Sequence, residues 1–497
     1  MSTDTRIRVV SNYVGGRWVT PVGGRALDVL NPATQTVIAR VPLSGREDLE
    51  RAVSAARAAF PEWRSRSVIE RARWLFSLRE ALMGEREELA RLVVSEMGKT
   101  LADARAEVGR MIEMVECACA VPTTMQGRVL ENVATGVDCE TVRQPVGVCA
   151  AIVPFNFPAM VPFWFLPFAV ATGNTFVLKP SEQVPLTQNR VFELIDRLGL
   201  PPGVVNLVNG DSEVAQAILE SPGIDAVSFV GSASVAAHVY ATAAAHGKRV
   251  QALGGAKNHM VVMPDAVIDR AVEGIVSSAF GAAGQRCMAG SVVVTVGDAA
   301  ARLSGPLLDA VRALRVGDGL DPGVDVGPVI SLDAAARIER AVEAAEKEGA
   351  LIAVDGRGVA GSGGAFVGPT ILTGVRPSLE IVSEEVFGPV LVIIEAGDLT
   401  EAIAIVNGSR FGNGTSIFTE SGAAVRRYRH DVEAGMVGVN IGVAAPVAFF
   451  PFSGWKASFL GDLHAHGSDA VDFYTRKKTV TSRFFTEAAQ EKLFGED

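Results

Sequence analysis

The chain contains 497 residues, of which 48% are hydrophobic and 21% are charged, and its formal net charge is -10 at pH 7. This composition is typical of a compact globular enzyme, and the length predicts two or three domains. The acidic balance argues against nucleic acid or an anionic membrane surface as the main partner. Anionic ligands would therefore be held by local arginines, lysines or helix N-termini.

The cysteines and the apolar segments indicate a soluble, cytoplasmic protein. The five cysteines are an odd number without a regular framework, which favours a reducing compartment. The first residues are polar and lack the apolar core of a signal peptide. Residues 144–178 carry no charged side chain, but prolines interrupt them repeatedly. We therefore predict buried sheet, loop and helix in this stretch and no membrane span.

The first part of the chain is predicted to be helical, and the next part to alternate between strands and helices. Apolar stripes mixed with Arg and Glu predict helices over 47–63, 67–83 and 85–97. From Pro145 onwards, short apolar runs separated by amphipathic stretches predict a parallel, doubly wound sheet. The predicted strands are 146–153, 175–178, 204–207, 226–230 and 249–253, and the predicted helices between them are 186–198, 213–220 and 235–246.

A second α/β segment follows, and the chain ends with one more predicted strand. The second segment runs from about Gly255 to the Gly/Ala-rich region near Gly442. Close to the C-terminus, residues 477–485 have the alternating pattern of a strand. Such a strand either pairs across a subunit boundary or forms an edge strand within the monomer, and the pattern favours neither.

Three segments of the first α/β region carry candidate ligand-binding groups. Asn156 follows a predicted strand end, where its amide could donate to an oxygen that becomes negative in a transition state; a turn asparagine that satisfies nearby backbone is the alternative. Lys179 could bind a ribose or a phosphate and Glu182 could accept from a pair of ribose hydroxyls, unless the two form only an exposed ion pair. Gly231 and Ser232 leave backbone N–H groups free for a pyrophosphate, although Ser232 could be only an N-cap.

Cys287 is the candidate nucleophile. It lies among small residues in the segment 281–290 and directly follows Arg286. A substrate carbon can approach a thiol on such a loop, and the neighbouring guanidinium would favour the thiolate. A buried, inert thiol is the alternative. His259, His464 and His466 show no metal-ligand pattern, so no metal site is predicted.

Together these motifs resemble the aldehyde dehydrogenase superfamily, and the resemblance spans nearly the whole chain. Residues 251–259, 284–289 and the phenylalanine-rich loop at Asn156 look like the CoA-acylating methylmalonate-semialdehyde dehydrogenase branch, which also accepts malonate semialdehyde. The segments that carry the superfamily resemblance, in the expected order, are the Asn156 loop, 179–182, 229–232, 253–255, the Cys287 loop and 384–389.

The resemblance implies an α/β fold in three parts. A Rossmann-type NAD-binding domain would comprise residues 1–121 and 144–254, and an α/β catalytic domain would comprise residues 255–455. A small oligomerisation element would comprise residues 122–143 and 472–497. The resemblance also implies a homo-oligomer, either a tetramer or a dimer.

The resemblance further implies roles at matching positions. Cys287 would be the nucleophile, and the Asn156 amide together with the Cys287 backbone N–H would form the oxyanion hole. Glu182 at the adenosine ribose would favour NAD over NADP, because a 2′-phosphate would meet like charge. For Glu385, a structural role as a cap of the next turn stays open. The residues expected to bind the cofactor are Phe155, Lys179, Glu182, Gly231, Ser232, Leu253, Glu385 and Phe387.

Ala252 indicates how the acyl group is expected to leave Cys287. Most hydrolytic members of the superfamily have a glutamate directly before Leu-Gly-Gly that activates water, whereas this chain has Ala252 there and Gln251 before it. Neither side chain is a general base near pH 7. A thioester on Cys287 is therefore expected to pass to coenzyme A by thiol exchange instead of being hydrolysed.

The resemblance places Arg110 and Arg286 around a substrate carboxylate. The residues alone leave other interpretations open: Arg110 could pair with Glu107 or Glu113, and Arg286 could tune Cys287 without touching substrate. If both arginines bind substrate, oxidation leaves a malonyl-type thioester that loses carbon dioxide, and CoA receives a propionyl or acetyl group. The rival functions are a hydrolytic dehydrogenase of another carboxylated aldehyde, such as succinate semialdehyde, and a non-catalytic family member.

Overall fold

A computed structural model describes residues 7–22, 24–359 and 363–485. Residues 1–6 of the predicted NAD-binding domain and residues 486–497 of the predicted oligomerisation element lie outside the described residues. The described chain forms two large sheets, each packed against helices, and several small sheets. The α/β class predicted from the alternating pattern is therefore confirmed.

The first large sheet has eight strands, and its five central strands run parallel. All five strands predicted between residues 146 and 253 are present, with small shifts at their ends. In spatial order the strands are Phe459–Leu460, Arg249–Leu253, Ala226–Val230, Val148–Ile152, Thr175–Lys179, Val205–Leu207, Asn12–Val14 and Arg17–Val19.

The strand order of this sheet reverses at one point. From Val148–Ile152 the chain adds strands on one side, whereas Ala226–Val230 pairs on its other side. In open α/β sheets, ligands bind beyond the carboxyl ends of the strands at such a switch point. Asn156 follows the first of these two strands, and Gly231 follows the second. Both predicted ligand-binding loops therefore open on the same crevice.

Helices cover this sheet and supply one wall of the site. The helices predicted over 47–63, 67–83 and 85–97 are present, and the second of them begins with a capping box in which Ser67 accepts from the Glu70 N–H. The helices of this half of the chain are Arg46–Ser65, Val68–Gly84, Arg86–Met97, Leu101–Cys119, Val121–Thr124, Met160–Phe163, Leu166–Ala171, Leu186–Arg197, Ser212–Glu220 and Ala233–Ala245.

The second large sheet has seven strands, which are parallel except for an antiparallel pair at one edge. In spatial order they are Leu351–Val354, Thr370–Thr373, Val390–Ala396, Gly290–Val296, Asn258–Val262, Gly414–Phe418 and Met436–Val439. The accompanying helices are Ile268–Phe280, the 3-10 turn Gly281–Gly284, Ala299–Arg312, Leu332–Lys347, Glu380–Ser383, Leu399–Asn407 and Gly422–Asp431.

The smaller sheets lie outside these two layers. The C-terminal strand, predicted over 477–485, is Thr475–Arg483, which follows the helix Gly467–Phe473. It pairs antiparallel with Val137–Pro145 of the same chain and forms one edge of this sheet. The remaining small-sheet strands are Arg128–Ala134, which pairs with Val137–Pro145, the set Arg8–Val9, Ala26–Leu30 and Val37–Pro42, and the pair Phe411–Gly412 and Trp455–Lys456.

The charge-free stretch 144–178 is buried, as predicted. From residue 146 to residue 178 nearly every residue is shielded from solvent, and the stretch contains the strand Val148–Ile152 and the short helices Met160–Phe163 and Leu166–Ala171. Over the described ranges, every helix is too short or too polar to cross a membrane.

Candidate active site

Two cavities meet at Cys287. The arginine cavity, of about 390 Å³, is bordered by Arg110 and Arg286 among other residues. The glycine cavity, of about 290 Å³, is bordered by Gly231, by Gly254 and Gly255, and by the Asn156 loop. Cys287 lines both cavities. Its thiol can therefore contact one ligand in each cavity at the same time.

The loop that carries Cys287 is held in an uncommon backbone conformation. It connects the helix Ile268–Phe280 to the strand Gly290–Val296, and Ala282 and Ala283 have φ angles of 50° and 52°. The left-handed region is unfavourable for alanine, so this turn depends on contacts from elsewhere.

Amide side chains hold the end of the same loop. Asn258 and Asn413 each donate from Nδ2 to the Cys287 carbonyl at 2.9 Å. Asn258 also donates to the Ala289 carbonyl at 2.9 Å. Asn258 begins the strand Asn258–Val262, and Asn413 directly precedes its neighbour Gly414–Phe418. The second sheet therefore positions the loop that carries the thiol.

Asn156 lies beside Cys287, and its amide joins two loops. Its Nδ2 donates to the Gln285 carbonyl at 3.0 Å, which leaves the second N–H of the amide available at the glycine cavity. Its backbone carbonyl accepts from Lys99 Nζ at 2.7 Å, and Lys99 Nζ donates to Glu107 Oε2 at 2.6 Å. The amide therefore bonds a distant loop and not its own turn, contrary to the turn-asparagine alternative.

Most of the predicted cofactor-binding residues line the glycine cavity. Two of its glycines leave no space for a side chain: a Cβ would lie 2.4 Å from the Phe229 ring at Gly231, and 2.8 Å from the Ala457 carbonyl oxygen at Gly254. Ser232 occupies the N-cap position of helix Ala233–Ala245, but its side chain makes no capping hydrogen bond. The predicted residues that line this cavity are Phe155, Asn156, Gly231, Ser232, Cys287, Glu385 and Phe387.

Glu385 and Phe387 form the wall of the glycine cavity that comes from the second sheet. Glu385 Oε1 accepts from the Ala256 N–H at 3.1 Å, so its partner lies on a distant segment and not in the next turn. Burial raises the pKa of Glu385 to about 7. Phe387 has a φ of 53° and packs edge-to-face on Phe155, with ring centroids 5.9 Å apart.

Three predicted cofactor-binding residues lie outside the glycine cavity. Lys179 is buried at the end of the strand Thr175–Lys179, and its Nζ donates to Glu182 at 3.2 Å, so the pair is not the exposed one considered above. Burial lowers the pKa of Lys179, and Glu182 offsets part of that change. Leu253 contributes its carbonyl, which accepts from the Gly231 N–H at 3.1 Å.

In the arginine cavity, both predicted arginines have partners within the chain. Arg110 donates to Glu113 at 2.7 Å, and this is the ion pair considered from helix spacing. Arg110 also donates to the Pro446 carbonyl at 2.9 Å. Arg286 donates to Asp103 at 2.5 Å. The rest of the wall is mainly apolar, and its larger side chains are Met114, Phe157, Met160, Trp164, Met288, Val443 and Phe452.

The electrostatic surroundings of Cys287 favour the protonated thiol. Burial raises its pKa to about 12, and the Glu385 carboxylate adds to this increase. Arg286 acts in the opposite direction, as predicted, but its effect is the smaller one. Cys287 is partly exposed, and it lines both cavities.

The sequence as a whole matches the model of the aldehyde dehydrogenase family over residues 18–480. The chain belongs to the aldehyde dehydrogenase family. It is 53% identical over 482 residues to malonate-semialdehyde dehydrogenase 3 of Geobacillus kaustophilus (strain HTA426). The match covers 97% of this chain and 100% of that protein. It is 54% identical over 481 residues to malonate-semialdehyde dehydrogenase 2 of Geobacillus thermodenitrificans (strain NG80-2), with 96% and 100% covered.

Solved structures of aldehyde dehydrogenases share the whole fold. A methylmalonate-semialdehyde dehydrogenase from Oceanimonas doudoroffii superposes with a TM-score of 0.95 at 44% identity, and the match covers 98% of this chain and 100% of that one. A structure from Sinorhizobium meliloti 1021 that was solved with NAD gives a TM-score of 0.95 at 41% identity, with 97% and 99% covered. The predicted family and fold are therefore confirmed.

This aldehyde dehydrogenase has no carboxylate at residue 252. Ala252 is fully buried in the strand Arg249–Leu253. Gln251 is also fully buried, and its amide hydrogen-bonds with Ser228 Oγ at 2.8 Å. Over the described parts of the chain, no group of three or more His, Cys, Asp or Glu side chains could hold a metal ion.

Several residues that support this aldehyde dehydrogenase site were not predicted from the sequence. Asp103, Glu107 and Lys99 hold the two loops from the helix side, and their polar contacts join residues far apart in the chain. No local motif marks them as site residues. His466 also borders the arginine cavity, and burial lowers its pKa to about 4.

Proposed function

We propose that this aldehyde dehydrogenase oxidises malonate semialdehyde or methylmalonate semialdehyde with NAD and transfers the decarboxylated acyl group to coenzyme A. The observation that carries the proposal is the position of Cys287 between the glycine cavity and the arginine cavity. The names of the relatives support the substrate class. Ala252, which has no basic side chain, supports acyl transfer over hydrolysis.

The residues of the glycine cavity fit a dinucleotide. The uncapped start of the helix Ala233–Ala245 offers backbone N–H groups to a pyrophosphate, and the glycine positions leave no room for side chains. Glu182, paired with Lys179, supports NAD over NADP. When bound, NAD would accept the hydride that leaves the substrate carbon. Glu385 would hold the nicotinamide ribose.

In the acylation step, the Cys287 thiol would lose its proton to solvent, and the thiolate Sγ would bond to the aldehyde carbon as the C=O π electrons pass to oxygen. The free N–H of the Asn156 amide and the Cys287 backbone N–H would donate to the oxygen that becomes negative. Loss of hydride from the same carbon would restore the carbonyl and leave a thioester on Cys287. The position of Asn156 is held by Lys99 and Glu107, so these donors would be in place before the substrate arrives.

The arginine cavity would receive the substrate carboxylate. Arg110 and Arg286 are its cationic side chains, and a guanidinium can bind a carboxylate through two parallel hydrogen bonds. Breaking the bond to the carboxylate would release carbon dioxide and leave a thioester enolate, which the Asn156 amide would stabilise. After protonation of the enolate carbon, the CoA thiolate would attack the thioester and displace Cys287 as a thiolate.

A hydrolytic dehydrogenase is the second candidate function. The observation that favours it is Glu385, a carboxylate in the glycine cavity with a pKa raised to about 7, which is suited to accepting a proton from water. The other carboxylates near Cys287 are engaged, because Glu107 bonds Lys99 and two backbone N–H groups, and Asp103 bonds Arg286. The two functions differ in their need for CoA.

The test mixes the protein, NAD and malonate or methylmalonate semialdehyde, with and without CoA. We expect an NADH burst near one equivalent per active site without CoA, followed by slow turnover. Addition of CoA should restore steady turnover and give acetyl-CoA or propionyl-CoA. Steady formation of a free acid without CoA would contradict acyl transfer and support hydrolysis.

Arg110→Leu tests the carboxylate-binding role. We expect the KM for the semialdehyde to rise at least about tenfold, and far more than the KM for a neutral aldehyde, because only the first carries a carboxylate. Arg105→Leu is the matched control, since Arg105 lies on the same helix and pairs with Glu87 at the surface. Equal KM increases for both aldehydes would rule out this role for Arg110.

We also propose a cytoplasmic homo-oligomer, either a tetramer or a dimer. The three-stranded sheet that ends in Thr475–Arg483 supports this, because it projects apolar side chains into solvent on the strand Arg128–Ala134. Coenzyme A and the semialdehyde remain the small-molecule partners of the proposal.

A further inference from the structure

The turn that precedes Cys287 requires an anchor. Ala282 and Ala283 are consecutive left-handed residues, a conformation that alanine adopts only when its surroundings impose it. Gly284, with a φ of 70°, continues the turn and packs on the Gly388 carbonyl, from which a Cβ would be 2.1 Å away. One side of the turn is therefore in close contact with Gly388, the residue after Phe387, and the other side needs a hydrogen-bond partner.

Asp103 supplies that partner and binds Arg286 as well. Its Oδ2 accepts from the Ala282 N–H at 2.9 Å, and its Oδ1 accepts from Arg286 Nη2 at 2.5 Å. The guanidinium lies against Gly281, where a Cβ would be 2.6 Å from Arg286 Cζ. Thr100 Oγ1 accepts from the Asp103 N–H at 3.2 Å, so Asp103 is itself held at the start of a helix.

Arg286 keeps donors that the described chain does not satisfy. Its Nε is buried and has no hydrogen-bond partner among the described residues, and its Nη1 reaches only the Ser277 carbonyl at 3.4 Å. The side chain is 17% exposed, so a ligand in the cavity can offer an acceptor to the weakly bonded Nη1. Asp103, Arg286 and Cys287 all line the arginine cavity.

We propose that Asp103 is a positioning residue that couples carboxylate recognition to placement of the nucleophile. Its one carboxylate orients Arg286, so that the remaining donors meet the substrate carboxylate, and it also keeps the turn before Cys287 left-handed. The inference rests on the proposed function, because it requires a carboxylated aldehyde. Oxidation of a neutral aldehyde requires only the anchored turn, whereas a carboxylated aldehyde also requires the oriented Arg286. The two kinds of aldehyde should therefore respond differently to changes at Asp103.

Two variants separate the effects. Asp103→Asn keeps an oxygen that accepts from the Ala282 N–H but removes the charge that holds Arg286. Asp103→Ala removes both contacts. Asp309→Asn is the matched control, because the Asp309 side chain is 82% exposed and lies 3.8 Å from its nearest cation, Arg312. Each protein is assayed with malonate semialdehyde and with propanal, and thermal melting and NAD binding are measured to verify folding.

For Asp103→Asn we expect the KM for malonate semialdehyde to rise about tenfold or more, while the KM and the NADH burst rate with propanal change less than about threefold. For Asp103→Ala we expect the NADH burst to slow at least about tenfold with both aldehydes, because the turn loses its anchor. Asp309→Asn should behave like the unmodified protein.

Equal changes for the two aldehydes in Asp103→Asn would overturn the coupling to Arg286. A normal burst rate in folded Asp103→Ala would overturn the anchoring of the Cys287 turn. Failure of the proposed function looks different: the unmodified protein would then form free acid steadily without CoA, or would give a burst with propanal but none with malonate semialdehyde. In that case the Asp103→Ala comparison with propanal still decides whether Asp103 anchors the turn.

Discussion

Cys287 lies in surroundings that keep its thiol protonated in the free protein. Burial and the Glu385 carboxylate raise its pKa to about 12, and the opposing effect of Arg286, which pairs with Asp103, is smaller. Since the thiolate is the reactive form, the free protein should protect Cys287 from unwanted reactions. The positive charge of an oxidised nicotinamide in the glycine cavity would lower this pKa and activate the thiol when both ligands are present.

The first prediction concerns the pH dependence of Cys287 alkylation without NAD. Because the pKa of the thiol is raised, the thiolate fraction should increase about tenfold per pH unit from pH 7 to 9. The rate of iodoacetamide labelling should follow it, as measured by mass spectrometry of the peptide that contains Cys287. Glu385→Gln should increase the rate at pH 8, since it removes a negative charge near the thiol. A rate that levels off below pH 9 would contradict the raised pKa.

The second prediction concerns Asn156. Asn156→Ala should slow the NADH burst about 100- to 1000-fold, because it removes a donor to the developing oxyanion. NAD affinity should change little, which can be measured by tryptophan fluorescence or calorimetry. Asn413→Ala is the comparison: its amide bonds the Cys287 carbonyl but does not line the glycine cavity. A smaller loss in Asn156→Ala than in Asn413→Ala would argue against the oxyanion role.

The helix Leu101–Cys119 organises the site at the scale of secondary structure. Asp103 holds the Cys287 turn, and Glu107, one turn further on, accepts from the backbone N–H groups of Ala159 and Met160 beyond Asn156. Side chains three or four residues apart lie on one face of a helix, so one helix face anchors both loops. The helix lies in the first part of the chain, which is predicted to be helical, but its contacts with loops 50 to 180 residues away could not be predicted, because no local spacing encodes them.

The third prediction concerns the buried pair Lys99–Glu107. Both side chains are fully buried, and Lys99 also lies over the Phe157 ring at 3.8 Å. Glu107→Gln should lower the free energy of unfolding by about 3–5 kcal/mol, because it leaves a buried ammonium unpaired. Denaturant unfolding measures this change. Glu273→Gln is the matched control: it breaks an exposed pair with Arg270 and should cost less than about 1 kcal/mol.

The double variant Lys99→Met with Glu107→Leu gives a further check of the same pair. Replacing both charges by apolar side chains should cost much less stability than Glu107→Gln alone, because no unpaired charge remains buried. If the two variants lose the same free energy of unfolding, an unpaired buried charge is not the reason for the loss of stability. The NADH burst should be slower in the double variant than in the unmodified protein, since the Asn156 carbonyl has lost its donor.

At the scale of the whole molecule, the site exists only where the two large sheets meet. The switch point of the first sheet supplies Asn156 and Gly231, and the second sheet supplies Cys287 and Glu385. The three-stranded sheet stands apart from this junction, and Val129 and Leu130 on its outer strand are 67% and 65% exposed. Exposed apolar side chains on a sheet are typical of surfaces that contact another subunit.

The fourth prediction concerns assembly. Val129→Lys combined with Leu130→Lys should reduce the mass in solution to that of a smaller oligomer or a monomer, because it places charges on the proposed interface. Size-exclusion chromatography with light scattering measures the mass. Leu351→Lys is the control: Leu351 is 65% exposed on an edge strand of the second sheet and should leave the mass unchanged. An unchanged mass in the double variant would place the interface elsewhere.

The sequence by itself determined the family, the five central strands of the first sheet and the residues at the centre of the site. Asn156, Gly231 and Cys287 were predicted because the short motifs and strand ends that contain them are local features. Tertiary structure alone decided that Arg286 pairs with Asp103 and that the C-terminal strand pairs with Val137–Pro145. Ion pairs and cavities depend on distances between segments far apart in sequence, and no local pattern records those distances.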